Sequence, residues 1–461
     1  MSELMHKFKR LGMNIVVDPV SGSIHVVDDI IYDILDFYEN HSKEEIVNLL
    51  QHKYKKEDIL EAIAEIDELK EKGLLFSEDI YKDIAVSRND SVIKAMCLNV
   101  AHDCNLRCKY CFASTGDFKG SRKLMDFETG KKAIDFLIKS SGKRQNIEVD
   151  FFGGEPLLNF EVVKQLVEYG KQKAKENKKT IKFTITTNAV LLDDEKIKYF
   201  NENFSNVVLS LDGRKEVNDD MRVRVNGSGT YDTIVPKIKK FVESRGKKEY
   251  YVRGTFTAKN LDFANDVLHI ADLGVYEISV EPVVEKEDKE YTLKEEHLER
   301  ILNEYDRLAE EYIERYEEGR PFSFYHFKID LEGGPCVKKR LQGCGAGFEY
   351  IAVTPDGDIY PCHQFVGIEE FKLGNLEEGI TNKELQQKFM ESDIYKREEC
   401  TKCWARFYCS GGCFANNYNL NGDINKPYEL ACEMQKRRFE NAIAIKAYQM
   451  LKGEENDYKG I

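Results

Sequence analysis

From about residue 95 onward, short apolar runs alternate strictly with longer amphipathic stretches. The runs CLNVA (97–101), IEVDFF (147–152), IKFTITT (181–187), VVLSL (207–211), YYVRGTFT (250–257) and YEISVEPV (276–283) have the length and β-branched content of strands. Between them, segments such as Glu128–Ser140 and Phe160–Lys175 repeat apolar residues at helical spacing. Six such units predict an α/β fold, a parallel sheet with helices outside. Six is short of the eight that close a TIM barrel. The expected form is therefore a partial (β/α)6 barrel over 95–285, open on one side to a large substrate.

Residues 1–85 have another texture. GMNIVVD, SGSIHVVDD and GLLF at Gly73–Phe76 look like strands, and Pro19 with Ser21–Ser23 turns the first pair into a hairpin. Two or three helices lie between the second and third. Ser42-Lys-Glu-Glu45 is a capping box; Ile59, Ile63, Ile66 and Leu69 share one helical face; Gly73 ends that helix. Residues 286–330 are charged and helical and read as a bridge. From 331 to about 450 come Gly-punctuated segments that carry eight of the 12 cysteines. The last residues, KGEENDYKGI, read as a frayed tail.

A length of 461 residues suits two or three domains, and 42% hydrophobic residues supply their cores. No run of 18 apolar residues is present, and MSELMHKFKRLGMN lacks the apolar core of a signal peptide, so a cytoplasmic protein with no membrane partner is expected. A net charge of −14 repels phosphate backbones and disfavours nucleic acid. Closely spaced cysteines in such a chain read as metal or cluster ligands rather than as disulfides. Cys97, inside the first barrel strand, reads instead as a small buried hydrophobe.

Cys104, Cys108 and Cys111 follow the first barrel strand. A structural zinc site wants four ligands, and no fourth Cys or His lies close behind. Three thiolates on a four-iron cluster leave one iron open. With Tyr110 and Phe112 flanking Cys111, the C-x3-C-x2-C spacing resembles the radical S-adenosylmethionine (SAM) superfamily. That resemblance implies a [4Fe–4S] cluster whose open iron chelates SAM and whose electron releases a 5′-deoxyadenosyl radical. It gives further residues a role. Gly153-Gly154-Glu155 resembles the GGE motif, in which paired glycines allow close approach and Glu155 meets the SAM ammonium. Thr187 and Asn188, in Thr186-Thr187-Asn188, are implied at the ribose. Ser210 and Arg222 are implied at the SAM carboxylate, which suits the bidentate fork of Arg. No acid or base is identified.

Cys344-x12-Gly357-x4-Cys362, Cys400-x2-Cys403-x5-Cys409-x3-Cys413 and Cys432 together resemble the SPASM domain. The resemblance implies two auxiliary [4Fe–4S] clusters, three in all. Cys400, Cys403, Cys409 and Cys432 would hold one, and Cys344, Cys362 and Cys413 the other. Cys336 either completes the three-Cys set or leaves one iron open to a substrate thiolate.

The first 85 residues resemble the winged-helix-like recognition element of ribosomal-peptide modifying enzymes, which takes a leader peptide as an extra strand. A DNA-binding winged helix is disfavoured by the acid-rich helix at Lys55–Lys72. The whole assembly is most similar to maturases of six-cysteine (SCIFF) peptides. It implies a Cys-to-residue thioether, with Thr as acceptor, in a Cys-rich precursor peptide, and a low-potential donor of the flavodoxin or ferredoxin type. Two rivals stand beside it. One is a sulfatase-maturase type that oxidises Cys or Ser to formylglycine. The other is a non-catalytic peptide-binding iron–sulfur sensor.

Overall fold

The computed structural model describes residues 5–82, 91–331 and 337–453. Cys336 lies outside them. The N-terminal unit is an antiparallel sheet of β1 (His6–Arg10), β2 (Met13–Asp18) and β3 (Ser23–Val27) with helices α1 (Asp29–Ile34), α2 (Lys43–Leu50) and α3 (Lys56–Glu71). The capping box forms: Ser42 and Glu45 satisfy each other's backbone amides at the start of α2. Gly73, at φ +66°, turns the chain after α3. The segment Gly73–Phe76 is not a strand. The third strand is β1, whose sequence HKFKR buries only Phe8 and so lacks an apolar alternation to read.

The small sheet is covered on both faces. Val16 packs with Ile34 of α1, Ile46 of α2 and Ile59, Ile63 and Ile66 of α3. Ile15 and Val17, one residue to either side and so on the opposite face, pack with Trp404, Ile443 and Ala444 from the C-terminal region.

The six expected barrel strands are all present. They are β4 (Ala95–His102), β6 (Asn146–Gly153), β7 (Thr180–Thr187), β8 (Asn206–Ser210), β9 (Tyr251–Phe256) and β10 (Glu277–Pro282), parallel and adjacent in that order. A two-residue β5 (Lys123–Leu124) turns back along the end of β4. The connecting helices are α4 (Phe127–Ser140), α5 (Phe160–Glu176), α6 (Asp194–Asn203), α7 (Lys215–Met221), α8 (Tyr231–Arg245) and α9 (Phe263–Asp272). Their apolar stripes bury Ile134, Leu137, Val163, Leu166 and Phe241 against the sheet.

The segment expected as a bridge is part of the barrel wall. It contains α10 (Leu298–Glu317), whose Ile301, Tyr305 and Leu308 are fully buried, and leads into β11 (Ser323–Phe324), parallel to β10. The acidic and basic residues that suggested a spacer lie on the solvent face of this amphipathic helix.

The C-terminal region consists of α11 (Val337–Gln342), β12 (Tyr350–Val353), β13 (Asp358–Tyr360), β14 (Gly374–Asn375), β15 (Gly379–Ile380), α12 (Lys383–Glu391), α13 (Glu398–Thr401), α14 (Arg406–Cys409), α15 (Phe414–Asn421) and α16 (Glu429–Leu451). It is not a separate body. β12 joins the free side of β4 in parallel, with Ala352 opposite Cys97, so one 12-stranded sheet runs through both regions. Cys97 is fully buried at this seam, as expected for a small hydrophobe. No helix among the described residues is long and apolar enough to cross a membrane.

Ile15 is wholly buried where the N-terminal sheet meets Trp404 and Ile443. Ile15→Ala is expected to weaken this contact by about 2–5 kcal/mol. Limited proteolysis should then degrade the N-terminal unit faster than in the parent protein; an unchanged rate would show that the contact does not hold that unit down.

Candidate functional site

A cavity opens beyond the carboxyl ends of the barrel strands, where ligands bind in such sheets. The loop after β4 supplies Cys104, Cys108, Tyr110, Cys111 and Phe112 to its wall; the ends of β6, β7 and β8 supply Gly153, Gly154, Thr187, Asn188 and Ser210; the turn after α7 supplies Arg222. Every residue expected around SAM therefore meets at one cavity except Glu155. The cysteine loop is held by backbone bonds from Arg107 to the Val223 carbonyl (2.7 Å) and from Lys109 to that of Met221 (2.9 Å), so Arg222 is fixed beside it.

Glu155 is completely buried behind the wall. Its carboxylate accepts hydrogen bonds from the Leu157 amide (3.0 Å), the Thr187 hydroxyl (2.7 Å) and the Asn188 amide (2.8 Å). In this structure it braces the end of β7 rather than facing the cavity as an ammonium partner. The glycines before it also have a reason internal to the chain. Gly153 is at φ +129°, and a Cβ there would overlap the Ala101 carbonyl. A Cβ on Gly154 would overlap the Asp103 carbonyl, directly before Cys104. What approaches closely is the backbone of β4 and the cysteine loop.

Tyr110 and Arg222 form a buried chain with Asp212, a residue sequence reasoning missed. Arg222 Nη1 donates to the Tyr110 hydroxyl at 2.9 Å, and that hydroxyl donates to both Asp212 oxygens at 2.7–2.8 Å. Burial pushes the Asp212 carboxyl up to about 6, against the pull of Arg222 and the Tyr110 hydrogen bond. Arg222 Nε is buried without a partner, a donor left for an anionic ligand. Asp212 lies just past the end of β8, the position that already singled out its neighbour Ser210.

Other residues of the cavity were also not foreseen. Arg253, Thr255 and Glu281 come from β9 and β10, and His363 and Gln364 follow Cys362 directly. Burial alone would raise the Glu281 carboxyl, but His326 at 3.1 Å and two arginines pull it well below the usual range. His363 packs near Phe112 and Phe152, with ring centroids 5.7 and 5.0 Å away, and burial pushes it down to about 4. These groups leave little trace in sequence, because only β-strand register brings them to the barrel axis.

The remaining cysteines fall into two groups. Cys400, Cys403, Cys409 and Cys432 line one pocket. Cys362 instead lies within electrostatic reach of Cys413 and Cys344. All the described cysteines are free thiols. Burial pushes Cys104, Cys400 and Cys432 up to about 12 and Cys111 to about 11. Such thiols become thiolates only against a strong cation. Among the described residues no three His, Cys, Asp or Glu side chains converge tightly enough for a single metal ion. Sets made of thiols alone are the ligand chemistry of iron–sulfur clusters.

Residues 98–263 match the model of the radical SAM superfamily, and residues 344–404 match that of SPASM, an iron–sulfur cluster-binding domain. The chain carries a radical SAM domain and a SPASM domain. Its cofactors are accordingly [4Fe–4S] clusters and SAM. This radical SAM/SPASM chain is 27% identical to a cysteine-type anaerobic sulfatase-maturating enzyme of Clostridium novyi, over 75% of this chain and 94% of that one. Among solved structures, native anSMEcpe with bound AdoMet and Cp18Cys peptide superposes with a TM-score of 0.63 at 23% identity, covering 78% of this chain and 99% of that one. Streptococcus suis SuiB bound to precursor peptide SuiA gives 0.51 at 18% identity, covering 93% and 98%. At these identities the two structures establish the fold, a mostly parallel radical SAM sheet with its SPASM extension.

Two outcomes check the geometry. Gly154→Ala should displace the loop that begins at Asp103 and lower iron loading at the first cysteine set; wild-type iron content would show that the loop tolerates the methyl group. Asp212→Asn should loosen the Tyr110–Arg222 chain and weaken SAM binding about tenfold, near 1.4 kcal/mol. An unchanged Kd in equilibrium dialysis would leave Asp212 with a purely structural part.

Proposed function

We propose that this chain installs a thioether between a Cys and a second residue, Thr in the favoured case, of a ribosomally made, Cys-rich precursor peptide. The observation that carries this reading is the join between the two cofactor regions. His363 and Gln364 line the SAM cavity, and the preceding residue, Cys362, belongs to the set with Cys344 and Cys413. A substrate thiolate held at that set would therefore sit beside the cavity where a hydrogen atom is removed.

In this reading Cys104, Cys108 and Cys111 would hold the first cluster, and Cys400, Cys403, Cys409 and Cys432 one of the auxiliary ones. Bound SAM and its cluster supply the one-electron cleavage that abstracts hydrogen from a substrate carbon. The chain's own groups orient and exclude. Arg222 offers Nε–H to the SAM carboxylate; Tyr110 and Asp212 fix its plane; Gly153 and Gly154 expose backbone; Thr187, Asn188 and Ser210 offer polar contacts; Phe112 with Phe152 and His363 closes the cavity towards Cys362. Forming the bond removes one hydrogen atom from the acceptor carbon and one proton and one electron from the thiol, so the auxiliary set must pass on an electron. A flavodoxin- or ferredoxin-type donor completes the first cleavage.

The leader would add to the N-terminal sheet at β3. β1 is the other edge, but its His6 and Arg10 are engaged by Glu440 and Asp306. Sulfatase-maturase chemistry stays as the second reading, favoured by the identity to the Clostridium novyi enzyme. A peptide-binding sensor would bind without turning SAM over.

Mass spectrometry of a six-cysteine peptide with its leader, incubated anaerobically with reconstituted enzyme, SAM and reductant, separates these readings. Loss of two hydrogens with one Cys protected from alkylation supports the thioether. Conversion of a Cys CH2SH to an aldehyde establishes the sulfatase-maturase type, and no 5′-deoxyadenosine establishes the sensor. Cys413→Ala should still cleave SAM but lose crosslinking; an unimpaired crosslinking rate sinks the role given to that set. Deleting the N-terminal unit is a poor test, since it would bare Trp404 and Ile443. Val26→Asp, at a side chain of β3 that is 43% exposed, should instead raise the Kd of leader-bearing peptide about tenfold or more, with SAM cleavage alone unchanged.

A further inference from the structure

Arg397 is sealed from solvent, at 1% exposure, and heads the fully buried side chains by size. It stands where the two auxiliary cysteine sets meet. Its carbonyl accepts the amide of Cys400 at 2.9 Å. Its guanidinium crosses to the short link between Cys409 of one set and Cys413 of the other. There Nη1 donates to the Ser410 carbonyl at 3.2 Å, and Gly411 lies so close that a Cβ would overlap Nη1. Phe414, the residue after Cys413, stacks over the guanidinium with its ring centroid 4.9 Å away.

The cation is nevertheless underpartnered. Nε and Nη2 are buried with no hydrogen-bond partner. No carboxylate among the described residues forms an ion pair with it, and the side chains within its electrostatic reach are those of Cys400, Cys409, Asp393 and Cys344. A buried guanidinium left this way is costly unless acceptors stand in front of it. The groups within electrostatic reach of it are mostly cysteines: Cys400 and Cys409 of one set and Cys344 of the other.

We propose that Arg397 donates Nε–H and Nη2–H to the sulfurs of the two auxiliary clusters and, as a fixed positive charge between them, raises the potential at which they take up an electron. The proposal rests on the assignment of the two cysteine sets to two clusters. Its physics is general: a reduced cluster carries one more negative charge, and hydrogen bonds to sulfur and a nearby cation favour that form. Arg suits the position because it stays charged when buried and its planar fork presents donors to both sides. Arg397 is a positioning residue and touches no substrate in this account.

The test is an EPR-monitored redox titration of the reconstituted full-length enzyme. Arg397→Gln should keep wild-type iron content, yet at the wild-type auxiliary midpoint its reduced-to-oxidised ratio should fall at least tenfold, about 59 mV for one electron. Arg397→Lys should recover most of the shift, and the SAM-cluster couple should not move. A fully loaded Arg397→Gln protein with unmoved auxiliary midpoints overturns the proposal. If that variant loses iron, the wild-type protein decides. Pulsed EPR of the reduced auxiliary clusters in enzyme labelled with 15N-arginine should show a nitrogen coupling, and its absence overturns the proposal equally. Failure of the underlying assignment looks different: Cys400→Ala and Cys344→Ala would then leave iron content and the auxiliary signals intact.

Discussion

The pairing of β12 with β4 is the constraint on which the rest depends. β4 is the first barrel strand, and at its carboxyl end the chain turns into the loop of Cys104, Cys108 and Cys111. On one side it pairs with β6, which ends in Gly153 and Gly154. On the other it pairs with β12 in a fixed register, Tyr350 opposite Ala95 and Val353 opposite Leu98. The hairpin that continues from β12 through β13 delivers Cys362 and His363, and the bend before it, where Ala346 bridges to Tyr350, delivers Cys344. A one-residue slip would turn the side chains of β12 to the opposite face. The spacing between the SAM cavity and the nearer auxiliary set is thus set by backbone hydrogen bonds, the least adjustable ruler a protein has.

The same seam explains which parts were legible in sequence. The six barrel strands announce themselves because both faces of a parallel sheet are buried, which yields apolar runs such as CLNVA and IKFTITT. The cysteine sets were legible because ligand spacing is local. β1 was not, since HKFKR buries one apolar side chain. Neither was the pairing of residues 350–353 with 95–98, because a four-residue strand says nothing about a partner some 250 positions away. The reading of α10 as a bridge failed for a related reason: charge dominated its composition, while the buried stripe of Ile301, Tyr305 and Leu308 decides where it lies. The glycines of the GGE motif were read as room for a ligand; they line the cavity, and the carbonyl oxygens of Ala101 and Asp103 fill the space a Cβ would take.

Charge is distributed against the net balance of −14. Near the cysteine sets buried cations stand beside the buried carboxylates of Glu155 and Asp212. Arg222 lies within electrostatic reach of Cys108, and Arg397 of Cys400, Cys409 and Cys344. The half-buried Lys436 is within reach of Cys403 and Cys432. Arg406, 4% exposed and three residues before Cys409, is held by Asp79 of the segment that follows the N-terminal helices. Thiolate-ligated clusters are anionic, and taking anions out of water is unfavourable unless donors or cations replace the lost hydration. Buried arginines beside the cysteines meet that demand, because they hold negative charge in place where water is excluded.

These placements also tie the N-terminal unit to the chemistry. α16 carries Cys432 near its start, Arg438 in the middle, where it bonds the Tyr305 hydroxyl at 2.5–2.8 Å, and Glu440 beside His6 of β1. His6 in turn stacks on Trp404, the residue after Cys403, with ring centroids 4.1 Å apart. A strand that gains a neighbour on the small sheet therefore acts on a rigid element already bonded to the barrel wall and to a cysteine cage. Because these contacts are close-packed, a shift of β1 cannot be absorbed locally. It must be passed along α16 or resisted, so the N-terminal unit and the cysteine sets form one mechanical piece.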